Sequence, residues 1–186
     1  MYEKNYGKDG KPLKGADVNA EGRVEYDKCG NIVSLIVLNG YGKPAIGSAG
    51  FHKLERKYND NNKVECEQYK DTNGKLVKHK TYGYAKITYT YDDKRNLIME
   101  KYFNTSGNVT GYSTYKYNER NAQTEICLYD ANKNLDDSKY GFAKIAIVYS
   151  NDGVTPQKRI FYNRFEKQLA WQYYNTQTGE WGNLIF

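Results

Sequence analysis

The sequence predicts an all-β protein of stacked antiparallel β-hairpin repeats, forming an elongated twisted sheet or a β-solenoid-like array. Three observations predict it: a Tyr-Asx pair recurs along the chain, apolar and polar residues alternate with period two, and turns rich in Gly and Asn separate the alternating segments. No segment shows a helical stripe, and Tyr, Thr, Val and Ile fill the periodic segments, as strands prefer.

The Tyr-Asx pair sets the repeat length. Five of the places where a tyrosine at the end of a strand-like run is followed by Asp, Asn or Ser are spaced by 32, 33, 26 and 32 residues. The pairs are Tyr26-Asp27, Tyr58-Asn59, Tyr91-Asp92, Tyr117-Asn118 and Tyr149-Ser150. Such spacing indicates a repeat array. We therefore expect a single array over residues 1–186 with about five repeats, near 15–49, 50–82, 83–110, 111–140 and 141–174.

Three of these repeats open with the pattern G-[FY]-x-K-[LI]-x-x-x-Y-[DNS], starting at Gly50, Gly83 and Gly141. The alternation after the lysine places Ile87 on one face of a half-buried strand and Thr88 on the other. The opening glycine is open to two interpretations, a close approach between backbones or a simple turn residue.

Each Tyr-Asx turn is followed by a second strand and a second turn. The second strand reaches another aromatic residue, at Tyr69, Tyr102, Tyr129 and Tyr162. Gly and Asn in the turns accept the positive φ that tight hairpins need. Because a lone hairpin is not stable, we expect the repeats to stack on one another, with the Tyr-Asx tyrosines as the internal ladder between them.

One repeat is short. Near Tyr112, Tyr115 and Tyr117 the opening Gly-aromatic-x-Lys element is missing. This predicts either a bend in the array or the removal of a loop. The chain also begins and ends within the pattern, which favours a fragment of a longer protein; the alternative is that Leu184, Ile185 and Phe186 are buried on their own sheet. No secretory signal peptide and no membrane-spanning run is found.

Composition narrows the function classes. Hydrophobic residues make up 39% of the chain and mean hydropathy is −0.91, so we expect a thin core supplied largely by the twenty tyrosines. The net charge is +6, but Lys and Arg are spread evenly among Glu and Asp, which argues against a nucleic-acid binder. Cys29, Cys66 and Cys127 have no metal or redox spacing and are expected to be free thiols. No motif predicts a cofactor.

Candidate catalytic groups are few. His52 and His79 occupy unlike positions in the repeats and are expected to be ordinary surface or edge residues. Carboxylates are paired at Asp92-Asp93, Asp136-Asp137 and Glu65/Glu67, but nothing in the sequence makes two of them converge as glycoside hydrolysis requires. The segment from Asp130 to Asp136 has oxygen ligands at alternate positions, yet an Asx turn accounts for it better than a calcium loop. We therefore predict that the chain is not an enzyme.

Aromatic residues outside the repeat register are the candidate ligand-binding residues, because exposed apolar patches usually mark contact sites. They are Tyr112, Tyr115, Trp171, Tyr173 and Trp181. For the two tryptophans a second interpretation remains open, a terminal cap over the last part of the sheet.

The turns resemble the YD repeats of bacterial RHS-type proteins, whose core reads Y-D-x-x-G-x-L. The likeness lies in Tyr26–Ile32, Tyr91–Leu97 and Tyr129–Leu135, and only the first keeps both Asp and Gly. It covers most of residues 20–170. The hairpin-after-hairpin layout is also similar to MORN-variant repeats of bacterial surface and antitoxin proteins. The resemblance implies a bacterial β-hairpin array, usually exported or displayed on the surface, that serves as shell, spacer or adhesive surface.

The sequence as a whole favours a non-catalytic binding or structural module of a bacterial secreted or surface protein, which contacts a glycan or a protein through an aromatic-rich face. The alternative is an intracellular interaction scaffold, associated with an antitoxin or an effector. Exposed strand edges also predict self-association.

Overall fold

The computed structural model describes residues 2–4 and 19–186, with side chains from residue 22 onward. These residues form strands and turns and contain no helix, so none of them forms a helix able to span a membrane. The strands are β1 (Tyr2–Lys4), β2 (Asn19–Tyr26), β3 (Ile32–Asn39), β4 (Lys53–Tyr58), β5 (Val64–Lys70), β6 (Lys86–Tyr91), β7 (Leu97–Phe103), β8 (Val109–Tyr117), β9 (Gln123–Asp130), β10 (Lys144–Tyr149), β11 (Pro156–Tyr162), β12 (Gln168–Asn175) and β13 (Glu180–Trp181).

The strands follow one another in the sheet in the order of the chain, from β1 to β13. The described pairings are antiparallel, as hairpins joined by short turns require. This confirms the predicted all-β class and the hairpin-after-hairpin layout. The chain divides into two compact units, the first formed by Met1–Thr88 and Tyr102–Val109, the second by Tyr89–Lys101 and Thr110–Phe186.

In the first compact unit, cross-strand register separates an apolar face from a charged face. Direct partners across a ladder lie on the same face. The apolar row is Leu35, Leu54 and Tyr69, and we call this side the core face. One residue further along, the row is Ser34, Glu55, Gln68 and Lys86, and we call this side the lysine face because the repeated lysines Lys53 and Lys86 lie on it.

The second compact unit has the same two faces. Its core-face row is Tyr115, Ile126, Ile145, Phe161 and Ala170. Its lysine face carries Lys144, which pairs with Cys127 on one side and Tyr162 on the other. The sequence pattern suggests that Tyr162 is the counterpart of Tyr69, but the register shows that it is not. Phe161 takes that place, because a shift of one residue moves a side chain to the opposite face.

The core is thin, as composition predicts. The central cluster consists of Phe51, Leu54 and Tyr69, with exposed fractions of 9%, 7% and 2%. Ile87 is equally buried at 2%. Tyrosine thus supplies core volume directly, and the hydroxyl of Tyr69 donates a hydrogen bond to the Glu67 carboxylate.

Three of the Tyr-Asx tyrosines join each repeat to the one before it. The hydroxyl of Tyr58 donates to the carbonyl oxygen of Ile32 at 2.9 Å, Tyr117 to that of Leu97 at 2.9 Å, and Tyr149 to that of Gln123 at 2.8 Å. Each acceptor lies at the first residue of the preceding strand in the same compact unit. The contacts agree with the predicted internal ladder.

The turns are Asx turns with a common geometry. The Oδ1 atom of Asp71 accepts the amides of Asn73 at 2.8 Å and Lys75 at 2.9 Å. The same pair of bonds forms at Asp27, Asn39, Asn59, Asn104, Asn118, Asp130 and Asn163. The third residue after the Asx has positive φ, and it is glycine at Gly74 (79°) but Arg95 (68°) and Lys133 (68°) elsewhere.

The connections that follow the second strand of a repeat come in two lengths. Residues 40–52, 71–85 and 131–143 form long loops, whereas residues 104–108 form a tight turn between β7 and β8. Of the two explanations for the short repeat, the structure supports loop removal. The opening glycines have positive φ at Gly50, Gly83 and Gly141, and a Cβ would meet another atom closer than 3 Å only at Gly50. The turn interpretation therefore holds for the other two.

Candidate functional site

The five residues predicted from sequence do not form one site. All lie in the second compact unit. Register places Tyr112, Trp171 and Tyr173 on the lysine face, and Tyr115 and Trp181 on the core face. Along the core-face row, Tyr115 in β8 is four strand spacings from β12, or about 19 Å. The sheet therefore separates residues that the sequence pattern grouped together.

Tyr115 is held by a structural hydrogen bond. It is half-buried, and its hydroxyl donates to Oε2 of Glu100 at 2.7 Å. Burial and then this carboxylate raise the pKa of Tyr115 well above the usual range for a phenol. It borders an open cleft of about 450 Å³, which is lined largely by the two Asx turns that begin at Asp92 and Asn118.

Tyr112 lies on the opposite face of β8 from Tyr115. It is half-buried and directly opposite Tyr129 in the ladder. The ammonium group of Lys101 lies 5.6 Å from the centre of its ring, within cation–π range. A lysine ammonium group thus lies over the ring that the sequence predicts as a contact surface.

Trp171 and Tyr173 share one cation. The Lys158 ammonium lies 4.8 Å from the Trp171 ring centre and 5.7 Å from that of Tyr173. Trp171 pairs with Ile160 in the ladder and bridges to Ile185, and its buried indole Nε1 has no hydrogen-bond partner among the described residues. These contacts favour the cap interpretation for Trp171. Tyr173 is 56% exposed and remains accessible.

Trp181 packs on the core face. The Arg159 guanidinium lies 4.7 Å from its ring centre, and the Tyr174 ring meets it edge-on at 5.1 Å. Arg159 is fixed in turn by a 2.5 Å bond from its Nε to Oε1 of Gln172. Beyond this strand the chain does not bury its apolar end: Leu184, Ile185 and Phe186 are 47%, 42% and 89% exposed.

The densest aromatic arrangement was not predicted from sequence. It lies in the first compact unit, where four near-parallel rings follow one another, a feature we call the aromatic run: His79, Tyr82, Tyr84 and Tyr102. Successive ring centres are 4.2, 5.7 and 5.4 Å apart, with interplanar angles of 21°, 14° and 29°. Tyr69 and Phe51 lie beneath it, with Tyr69 4.9 Å and Phe51 5.7 Å from the His79 ring.

Both histidines fix loops. Neither is an ordinary surface residue, since both are half-buried. Nδ1 of His52 lies 2.8 Å from the carbonyl oxygen of Val37 and 3.2 Å from that of Ala45, so Nδ1 must be the donor. Nδ1 of His79 instead accepts the amides of Thr81 at 3.2 Å and Tyr82 at 3.3 Å. The signal available in the sequence was the spacing of His79, Tyr82 and Tyr84, but their supports come from distant strands.

The paired carboxylates are engaged in structural contacts. Asp92 accepts the Asn96 amide at 2.8 Å, and Glu67 accepts Nε of Arg56 at 2.7 Å. Asp136 accepts the Ser138 amide at 3.0 Å. Within the described residues, no three His, Cys, Asp or Glu side chains come together as a metal site. Asp130 uses Oδ1 for two turn amides, which supports the Asx-turn account of the calcium-like segment.

A carboxylate between two lysines stabilises each lysine face. Glu55 lies 2.9 Å from Lys53 and 2.6 Å from Lys70, and it accepts Nε2 of Gln68 at 2.8 Å. Partial burial alone would raise the pKa of Glu55, but the bonds from Lys70, Lys53 and Gln68 outweigh burial and lower it to about 2. In the second unit, Glu125 lies between Lys116 and Lys144, 2.6 and 3.1 Å away.

The cysteines are free, as predicted. Cys29 is exposed, Cys66 is half-buried and Cys127 is buried. Burial raises the pKa of the Cys66 and Cys127 thiols, which makes both poor nucleophiles.

Comparison with known proteins gives a similarity of fold. No protein-family model matches the chain, and no curated protein matches it. The chain aligns with the crystal structure of TcdB2-TccC3-TEV at a TM-score of 0.52 and 15% identity, covering 98% of this chain and 10% of that chain. It also aligns with a Photorhabdus luminescens Tc holotoxin pore that carries a TccC3 mutation (TM-score 0.45, 12% identity, 92% of this chain and 11% of that chain).

A further match, the crystal structure of TcdB2-TccC3, has a TM-score of 0.44 and 12% identity, and covers 97% of this chain and 12% of that chain. The chain thus spans about a tenth of the length of the solved chains it matches. At the level of fold, the match to TcdB2-TccC3-TEV is consistent with the YD-repeat resemblance.

Proposed function

We propose that the chain is a non-catalytic repeat module of an extracellular bacterial protein, which serves as a scaffold and offers an aromatic surface to a glycan or protein partner. One observation carries this proposal: the residues that recur in every repeat are used to join and turn the repeats. The hydroxyls of Tyr58, Tyr117 and Tyr149 bond the preceding strand, and the Asx side chains bond their own turns.

Partner binding then falls to aromatic residues outside the ladder. Among the sequence candidates, Tyr173 has the most free surface, at 56%, while Tyr112, Tyr115, Trp171 and Trp181 are half-buried. Exposed aromatic rings contribute large contact area at low entropic cost, which suits a binding surface. In this proposal the four half-buried residues support the sheet and make smaller contacts with the partner.

A non-catalytic role is supported by how the polar groups are used. Four of the six carboxylates that stand in pairs in the sequence, Asp92, Asp136, Asp137 and Glu67, accept turn amides or pair with Arg56 and Arg164. A general acid and base need free, converging groups at a set distance. These four acidic side chains are engaged in turns and ion pairs instead.

The compartment and the kind of partner follow from the resemblance to exported YD-repeat proteins. The fold match adds that a chain of similar fold is solved as TcdB2-TccC3-TEV, a structure whose name joins more than one component. This favours a protein partner as the first to test, with glycans second.

The experiment has two arms. The purified chain is applied to a glycan array, and a tagged full-length protein is isolated from culture medium and cells of its source, with each co-purifying protein re-tested in pure form. We expect the protein in the medium or at the cell surface, with one saturable partner. Recovery only from the cytoplasm, or no saturable glycan or protein partner, overturns the proposal.

A further inference from the structure

We propose that the aromatic run and the lysines of loop 71–85 form a binding site for an anionic carbohydrate. The inference rests on the proposed function and gives it a ligand class and a place. The place differs from the five sequence candidates, because loop 71–85 belongs to the first compact unit.

One ring of the run is available to a ligand. Tyr82 is 50% exposed, although His79 and Tyr84 stack on it, whereas His79, Tyr84 and Tyr102 are half-buried. The described residues provide no hydrogen-bond partner for the Tyr82 hydroxyl. The exposed part of this phenol offers apolar contact at its ring edge and both donor and acceptor capacity at its hydroxyl, a combination that suits a sugar.

The surface is formed before any ligand arrives. The amide of His79 donates to Tyr84 O at 2.9 Å, and the amide of Gly83 to His79 O at 2.8 Å. The amide of Lys80 donates to Ala49 O at 2.9 Å, which ties loop 71–85 to loop 40–52. Tyr69, 2% exposed, supports the rings from below. Preorganisation of this kind lowers the entropic cost of binding.

Charge selects for an anion. Residues 72–85 contain Lys75, Lys78 and Lys80 and no acidic residue. All three lysines are exposed, and within the described part of the chain none of them forms a salt bridge. By contrast, Lys53 and Lys70 are both neutralised by Glu55. Free ammonium groups in the same loop as an exposed tyrosine are complementary to a sugar that carries carboxylate or sulfate.

A carbohydrate fits this surface better than single-stranded nucleic acid. Nucleic-acid binders stack successive bases on successive exposed rings along a positive groove. In the aromatic run only Tyr82 is exposed, whereas the other three rings are half-buried. A single exposed ring in a loop with three free lysines suits one charged sugar unit.

The test is a calorimetric titration of the purified chain with a heparin-derived hexasaccharide and with hexagalacturonate. Maltohexaose serves as the neutral probe and a charge-matched single-stranded oligodeoxynucleotide as the rival. The site variants are Tyr82→Ala and the double variant Lys78→Gln/Lys80→Gln. The matched controls are Tyr140→Ala, whose ring is 56% exposed in loop 131–143, and Lys133→Gln/Lys139→Gln.

We expect at least one anionic hexasaccharide to bind, with a loss of about tenfold or more in affinity for each site variant and less than about twofold for each control. Added salt weakens binding, since part of the attraction is electrostatic. Equal binding of maltohexaose, or stronger binding of the oligodeoxynucleotide, overturns the inference.

Two results separate this inference from the proposed function. Glycan binding that survives both site variants overturns the site and leaves the proposed function intact. Absence of binding to any anionic glycan also overturns the inference, and the proposed function then depends on its protein-partner arm alone.

Discussion

Loops 71–85 and 131–143 occupy the same place in two repeats and form corresponding backbone hydrogen bonds, yet they present different chemistry. In one the amide of Val77 donates to Tyr69 O, and in the other the amide of Asp136 donates to Leu128 O. The bridge from Lys70 to Leu76 corresponds to that from Tyr129 to Leu135. The repeat therefore fixes the path of the loop and leaves its side chains free to vary.

The side chains diverge at three places. Tyr69 lies under the first loop, where Leu128 lies under the second. His79 stacks on Tyr82, whereas Asp137 at the corresponding place accepts the amide of Arg164 at 3.1 Å. The first loop has three lysines and one acid, and the second has two lysines and two acids. The comparison teaches that one hairpin framework carries a basic aromatic surface in one repeat and a neutral one in another.

The largest expected effect is a difference in stability between truncations of the two residues that lie beneath the loops, Tyr69 and Leu128. Tyr69→Ala should lower the free energy of unfolding by about 3–5 kcal/mol, since Tyr69 is 2% exposed and contacts Phe51, His79 and Tyr84. Leu128→Ala should cost about 1–2 kcal/mol, because Leu128 is half-buried. Urea denaturation measures both. Equal losses would mean that the aromatic run adds no packing of its own.

The next effect concerns the turn residue that differs between the loops. Gly74 and Lys133 both have positive φ, 79° and 68°. We expect Gly74→Lys to destabilise the protein by about 1–2 kcal/mol, because a side chain strains this conformation. Lys133→Gly should stabilise it by about 0.5–1 kcal/mol, after the entropy that glycine adds to the unfolded chain. Thermal midpoints decide, and a midpoint lowered by Lys133→Gly would contradict the assignment of strain.

A smaller effect should be the same in both compact units, which would show that the difference lies in the loops and not in the ladder. Tyr58→Phe and Tyr149→Phe each remove one hydrogen bond to the preceding strand. We expect each to cost about 0.5–1.5 kcal/mol. Tyr26→Phe is the control, since Tyr26 is 47% exposed. A control loss as large as the other two would argue against the ladder.

The smallest effect is an acid dependence in the ion pairs beside the first loop. The pKa of Glu55 is lowered from 4.5 to about 2, so its contribution to stability is complete above pH about 4.5 and is lost as pH falls towards 2. The contribution should be at most about 1 kcal/mol, since the group is partly exposed to solvent. Glu55→Gln should flatten the stability profile in this window.

Chemical denaturation at a series of pH values gives that profile. Glu119→Gln, at an exposed turn residue, is the control and should leave the profile unchanged. Glu125→Gln extends the comparison to the second unit, where burial is outweighed by bonds from Lys116 and Lys144 and the pKa of Glu125 is also lowered. An unchanged slope in Glu55→Gln would show that the lysines do not hold this carboxylate.

Much of the fold was readable from the chain because its signals are local. The Tyr-Asx pairs, the Gly- and Asn-rich turns and the period-two alternation each depend on residues close in sequence, and all of them predicted strands and turns that the structure contains. The free cysteines and the Asx turn at Asp130 were predicted on the same basis. The prediction that Tyr162 occupies the same repeat position as Tyr69 was wrong. A shift of one residue moves a side chain to the other face of the strand but leaves the composition of the strand unchanged.

The candidate site was less readable because a site is a matter of register between strands. Sequence determined that the chain is a β-hairpin array with tyrosines between repeats, since periodicity and turn chemistry are properties of a short segment. Only the tertiary structure brought Phe51, Tyr69 and Tyr102 to the rings of His79, Tyr82 and Tyr84. The physical reason is that cross-strand pairing joins residues tens of positions apart, and no local pattern records which partners meet.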